Sequence, residues 1–251
     1  MKHKLFMVPQ PIHNPRVRLF CFPYAGGDAS IFMNWTNAIP ALVELVAIQP
    51  PGRSNRCDEK NHTSMESLID ELLKFSLYIT QTPYIFLGHS LGSRVAFELT
   101  TQLEELGMRP PVHLIASGSR APHSENIEDK ISELPKHEFL DELKKLNGTP
   151  ADFFEYPELI DLLIPMLKAD FKIAETHRST KKIISCPITV LGGYNDTGVS
   201  FMDLSEWGEL SRSETKIIQI HGDHFFIVKN RLSVLKSLNT ILNQYLATHA
   251  K

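Results

Sequence analysis

Cysteine is scarce in this chain of 251 residues. Cys21, Cys57 and Cys186 cannot all pair and show no metal-ligand spacing, so free thiols in a reducing cytoplasm are the simplest reading. Long hydrophobic runs are missing as well: no stretch approaches the ~20 apolar residues of a membrane span. The N-terminus offers only Leu5, Phe6, Met7 and Val8 before Pro9, too short a run for a secretory core segment. Nor does one charge sign dominate. With 26 Lys+Arg against 29 Asp+Glu, the net charge of -3 gives no electrostatic case for nucleic-acid binding. Internal repeats, low-complexity tracts and linkers are absent. The expectation is a cytoplasmic protein with neither membrane nor nucleic-acid partners, and no metal or cofactor.

What is present is an alternation of short apolar runs and helical patterns, in a chain long enough for one large α/β domain over 1–251. Strand-like runs occur at Val17–Phe22, Val43–Ile48, Tyr84–Leu87, Val112–Ala116, Pro187–Leu191 and Thr215–Ile220. Between them lie helical patterns: one through Phe32, Trp35 and Ile39, and one capped by Ser64 that runs through Leu68, Leu72, Phe75 and Ile79. Others run from Ser93 to Gly107 and from Leu232 to Leu246. Such spacing implies βαβ crossovers and a mainly parallel sheet with helices on both faces. The alternation lapses over 120–182. Phe139, Leu140, Leu143 and Leu146 fit one helix, stopped by Asn147-Gly148. Leu159 to Phe171 fit another, which Pro165 is expected to kink. A helical block inserted into a sheet of this kind reads as a lid, with extra core helices as the alternative.

The sharpest signal is Gly88-His89-Ser90-Leu91-Gly92. By chance alone a G-x-S-x-G appears in roughly one random chain in ten of this length. Here it follows the apolar run Tyr84-Ile85-Phe86-Leu87 and opens a helical pattern, the strand–turn–helix context of a nucleophile elbow. A serine hydroxyl needs a neighbouring base, and the base needs an acid to fix its tautomer. Asp196 follows the strand ending at Leu191 and His224 follows the strand ending at Ile220, in the order Ser, Asp, His. Asp196 has a simple turn reading, with Asp203 as its rival. His221 and His224 form an H-x-x-H, but no third group with convincing spacing turns them into a metal site. An oxyanion hole needs two backbone N–H donors. Leu91, after the nucleophile, is one; the loop Tyr24-Ala25-Gly26-Gly27 supplies the other, with Ala25 chosen and Tyr24 as the alternative.

With these pieces assembled, the chain resembles the type II (editing) thioesterases of nonribosomal-peptide and polyketide synthases. The resemblance runs over nearly the whole chain. It rests on Phe22-Pro23-Tyr24-Ala25-Gly26-Gly27, Pro51-Gly52-Arg53, the elbow, Ala169-Asp170-Phe171, Gly192-Gly193 with Asp196, and Gly222-Asp223-His224-Phe225-Phe226. It implies an α/β-hydrolase fold with a helical lid, Ser90 as nucleophile, Asp196 as acid and His224 as base. It also implies substrates held as thioesters on the phosphopantetheine arm of an acyl or peptidyl carrier protein. Thr197 stands where that family usually has Pro, and Leu91 and Ser93 replace its commoner Met and Ala. Neither change removes a catalytic group, so they bear on substrate preference. Lys168 and Lys172, followed by Arg178, Lys181 and Lys182, offer a cationic face to an acidic carrier; the alternative is a solvated face.

Three other readings compete. One is a stand-alone esterase or lipase acting on small oxygen esters. Another is a product-releasing thioesterase, against which a chain that starts at Met1 and carries no other domain argues. The third is a non-catalytic binding module that keeps the fold. The expected oligomeric state is a monomer.

Overall fold

The computed structural model describes residues 3–124, 130–146 and 154–249. Six strands coincide with the expected runs: β2 (Val17–Phe22), β3 (Val43–Ile48), β4 (Tyr84–His89), β5 (His113–Ser117), β6 (Ile188–Gly193) and β7 (Thr215–Ile220). They form the parallel part of a seven-stranded sheet ordered β1-β3-β2-β4-β5-β6-β7. β1 (Phe6–Met7) adds antiparallel to β3 at the edge, and two residues leave no alternation for sequence reading to detect.

The period-2 geometry of the strands divides their side chains between two apolar layers. Phe20, Phe22, Val46, Tyr84, Phe86, Leu114 and Val190 face one side, against α2 (Met65–Leu73), α3 (Ser76–Thr80) and α4 (Leu91–Glu105). Leu19, Cys21, Leu45, Ile85, Leu87 and Ile115 face the other, where they meet Phe32 of α1 (Ser30–Met33) and, further along the chain, Phe226 and Leu238. Both faces are therefore covered, which is why the strands read as unbroken apolar runs. Each such fully buried side chain contributes about 1.5–3 kcal/mol.

The Ser64-capped helix stops at Leu73 and restarts at Ser76, rather than running straight to Ile79. The break turns Phe75 onto Phe6, ring centroids 5.3 Å apart. Between β5 and β6 come α5 (Lys136–Lys145) and α6 (Pro157–Thr176), which runs through Pro165 as one helix. The expected stop at Asn147-Gly148 lies outside the described residues. Phe139, Leu143, Met166 and Leu167 give these helices an apolar cluster of their own, separate from the two sheet layers. After β6 come α7 (Phe201–Ser205) and a 3-10 turn (Glu206–Leu210); α8 (Phe226–Lys229) and α9 (Arg231–Thr248) close the chain. No helix among the described residues is long and apolar enough to cross a membrane. Cys21 and Cys186 are buried and Cys57 exposed, and all three are free.

Candidate active site

In-register pairing of the parallel strands brings their carboxyl ends to one rim, where ligands of open α/β sheets bind. Phe22 aligns with Gly88, His89 with Ser117, and Gly193 with Ile220. Ser90, Leu91, Asp196, His224 and the Tyr24–Gly27 loop each follow one of these strand ends.

Ser90 joins β4 to α4 with φ 54° and ψ -118°, a conformation costly for any residue with a Cβ. Its N–H donates to Ser117 C=O at 2.7 Å, and this bond to the neighbouring strand helps to hold the strained turn. The elbow glycines are sterically required. A Cβ on Gly88 would lie 2.1 Å from Gly92 O, and one on Gly92 would lie 2.2 Å from Phe22 O. The turn is thus tight enough to stand the half-buried serine at the helix start.

Asp196 and His224 come together from different strand ends. His224 Nδ1 donates to Asp196 Oδ2 at 2.7 Å, and the Asp196 side chain is 2% exposed. Asp196 Oδ1 accepts from the N–H groups of Gly198 (2.9 Å) and Val199 (3.2 Å), so both carboxylate oxygens are engaged. The two loops are also stitched by backbone: Tyr194 N–H donates to Ile220 C=O at 2.7 Å and Asn195 N–H to Gly222 C=O at 2.9 Å. The rival Asp203 is occupied elsewhere. It closes a capping box with Ser200 at the start of α7 and pairs with Arg120 at 3.4 Å. His221 is exposed, and its carbonyl accepts from Asn230. The Ser90 hydroxyl makes no hydrogen bond to His224; such contacts often tighten only when substrate is bound.

Leu91 begins α4, so its N–H has no intrahelical acceptor. In the glycine loop, Gly27 N–H closes a turn on Tyr24 C=O at 2.9 Å, and Gly26 N–H goes to Asp170 Oδ2 at 2.8 Å. Among the described residues the N–H groups of Tyr24, Ala25 and Leu91 have no acceptor, so both loop alternatives stay open as donors. A narrow cavity lies against this region, walled by Phe22, Tyr24, Leu72, Leu91 and Val95. A wider cleft between β7 and α9 touches none of Ser90, Asp196 and His224.

Two supports were given no role in the sequence reading. His89 is fully buried, its Nε2 donating to His224 C=O at 2.9 Å and its Nδ1 accepting from the Ser117 hydroxyl at 2.9 Å. Burial, reinforced by the nearby His224, holds its pKa well below the usual histidine value, so the ring is neutral and the tautomer with a proton on Nε2 fits both partners. Asp170 is the other. It falls on the apolar face of α6 one turn from Met166 and Leu167, and a carboxylate on such a stripe was the signal available. The cationic run is largely spent within the molecule. Lys168 donates to Leu134 C=O, Lys181 pairs with Glu209, and Lys182 pairs with Glu105 at 2.6 Å.

Comparison with known proteins extends the geometry. Residues 17–242 match the thioesterase domain family. The chain is 35% identical to the gramicidin S biosynthesis protein GrsT of Aneurinibacillus migulanus over 233 residues, which span 92% of this chain and 91% of that protein. Among solved structures it is similar to ClbQ from the colibactin NRPS/PKS pathway, with a TM-score of 0.86 and 30% identity, covering 91% of this chain and 98% of that one. It is likewise similar to YbtT, a type II thioesterase from the yersiniabactin NRPS/PKS pathway, with a TM-score of 0.81 and 27% identity over 97% of each chain. A strained serine between β4 and α4, an Asp–His pair at the same sheet rim and a match over nearly its whole length together place this chain in the thioesterase domain family.

Proposed function

We propose that this chain is a type II editing thioesterase that clears stalled or aberrant acyl groups from the phosphopantetheine arm of carrier proteins, with Ser90, Asp196 and His224 as its catalytic triad. The observation that carries the reading is the Asp196–His224 hydrogen bond at the sheet rim that also bears the strained Ser90. With Nδ1–H committed to Asp196, the Nε2 lone pair of His224 is left to take a proton. Ser90 Oγ attacks the thioester carbonyl and transfers its proton to His224. The negative oxygen that forms accepts from Leu91 N–H and Ala25 N–H. The C–S bond then breaks, and the thiol leaves with the proton from His224. A thiol of pKa about 8.5 departs far more readily than an alkoxide, so the acid need only assist. Water then attacks the acyl-serine and gives its proton to His224, and His224 returns it to Ser90 Oγ as the free acid is released.

The single domain over 1–251 carries residues 120–182 as a lid in this reading. The separate apolar cluster of α5 and α6 and the contact of Asp170 with the glycine loop support it. The apolar walls around Leu91 suit an acyl chain. We take the enzyme to act as a monomer in the cytoplasm, where three unpaired thiols are stable, with no metal or cofactor in its chemistry.

The test is release of acyl groups from loaded carrier protein. Ser90→Ala should lower turnover by on the order of 10⁶-fold; near wild-type turnover overturns the proposal. Carrier thioesters should also be preferred over nitrophenyl esters of the same acyl chain, and the reverse preference would favour a stand-alone esterase.

A further inference from the structure

Two of the motifs that carry the family resemblance, Pro51-Gly52-Arg53 and Ala169-Asp170-Phe171, contribute nothing to the triad. They nevertheless meet at one point. Arg53 Nη1 donates to Asp170 Oδ2 at 2.6 Å and Nη2 to Oδ1 at 2.8 Å, a bidentate pair with both side chains largely buried. From the pair, two hydrogen bonds reach the glycine loop. Asp170 Oδ2 accepts from Gly26 N–H at 2.8 Å, and Arg53 Nη1 donates to Gly27 C=O at 2.9 Å. Arg53 is itself tied down by donation from Nε to Pro51 C=O at 3.2 Å.

The geometry points to the Arg53–Asp170 pair as a positioning device for the oxyanion hole, an inference that rests on the serine-hydrolase reading above. The turn Tyr24–Gly27 has its Gly26 N–H and Gly27 C=O gripped from outside, while the Ala25 N–H is left without a partner. Fixing the peptide that follows Ala25 restricts rotation of the Ala25 backbone and so aims its N–H. Gly26 holds φ +82°, and a Cβ there would lie 2.6 Å from Leu167 of α6. Asp170 and Leu167 both belong to α6, so the seating of that helix and the aim of the oxyanion donor are mechanically linked.

Charge explains why the acceptor comes as an ion pair. An unpaired buried carboxylate beside the reaction centre would oppose the negative charge that develops on the substrate oxygen. Bidentate Arg53 neutralises Asp170 and leaves it able to hold Gly26. The pair acts through the loop and does not touch the reacting atoms.

Removing one partner leaves a buried charge and risks unfolding, so the test uses two neutral double variants. Arg53→Met/Asp170→Asn retains an oxygen acceptor for Gly26 N–H. Arg53→Met/Asp170→Leu has the same shape without the acceptor. Hydrolysis of an acyl-pantetheine thioester is measured alongside thermal unfolding. Both variants lose the Arg53 bond to Gly27 C=O, so each should fall below the parent. We expect the Leu variant to fall at least about tenfold below the Asn variant in kcat, with KM little changed. Equal kcat in the two folded variants overturns the inference. Ser90→Ala run in parallel separates the two levels. If that control stays active, the serine-hydrolase reading fails; if it is dead while the Leu variant keeps full kcat, only the positioning role fails.

Discussion

His89 occupies the variable position of the elbow motif, yet it ties β4 to both β5 and the His224 loop. It bridges Ser117 on β5 to the carbonyl of His224, and its ring packs against those of Tyr24, His224 and Phe226. Replacing it with Leu strands a buried hydroxyl and a carbonyl, at about 1–3 kcal/mol each. Because the carbonyl belongs to the proposed base, His89→Leu should also lower kcat by about tenfold or more. Gln carries an amide N–H₂ near the Nε2 position, so His89→Gln should recover most of that loss. Steady-state kinetics of the two variants checks the pair, and equal kcat for Leu and Gln would refute the role. Ser93 poses a purely structural question. Its hydroxyl lies within hydrogen-bond distance of the carbonyls of Gly88 (2.8 Å) and Ser117 (3.0 Å) and accepts from Ser117 N–H. Ser93→Ala, which installs the residue commoner in the type II thioesterases, should cost about 1 kcal/mol in denaturant unfolding by removing the buried hydroxyl to which the Ser117 N–H donates. Thr197 is milder. Its N–H is not among the donors to Asp196, so the Pro usual at this place would deprive Asp196 of no hydrogen bond.

At the level of elements, α5 and α6 depend on each other. Phe139 is fully buried, meets Phe171 edge-on at 5.8 Å and lies under the Lys168 ammonium at 5.3 Å. Phe139→Ala removes the largest piece of that small cluster, a loss of about 3–5 kcal/mol for a buried Phe. Since the cluster is separate from the sheet layers, the effect should be local: faster amide exchange over α5 and α6, with the β4–β5 amides keeping their protection. The same elements show where periodicity was informative. The α6 stripe through Leu163, Met166 and Leu167 was plain in the sequence because a helix repeats every 3.6 residues. The split between α2 and α3 was not, since it accompanies a contact of Phe75 with Phe6 far back in the chain, which leaves no period in the sequence. β1 was invisible for a similar reason: its two residues are ordered by pairing with β3.

Across the whole molecule, acid stability should report a buried cluster beside the sheet. Arg56 contacts Glu71 and Glu59, and His62 Nε2 meets Glu71 Oε2 at 3.0 Å. Burial pushes the Glu71 carboxyl up, but the hydrogen bonds from His62 and Arg56 outweigh it and bring the pKa down to about 2 from a usual 4.5. A carboxyl depressed by folding contributes stability that is complete above its unfolded value and is lost as pH falls towards its folded one. Stability should therefore fall between about pH 4.5 and pH 2. Glu71→Gln should flatten that part of the curve in unfolding measured against pH, even though the variant begins less stable. An unchanged slope would show that Glu71 is not the group being titrated.

The covalent order of the chain alone determined six of the seven strands, the helical insertion, the elbow and the positions of Ser90, Asp196 and His224 after the ends of β4, β6 and β7. These are local matters: the strands and helices follow side-chain periods of 2 and 3.6 residues, and the elbow follows what glycine permits in a turn. Asp196 and His224 could be placed because each follows a strand end, and parallel strands bring their ends to one rim. Only the tertiary structure decided the strand order, the choice of Asp196 over Asp203, the burial of His89 between two strands and the meeting of Arg53 with Asp170. Each of these depends on which distant segments become neighbours. Neighbours across a sheet or across a helix seat are selected by packing and by the pairing of buried polar groups, neither of which leaves a period in the sequence.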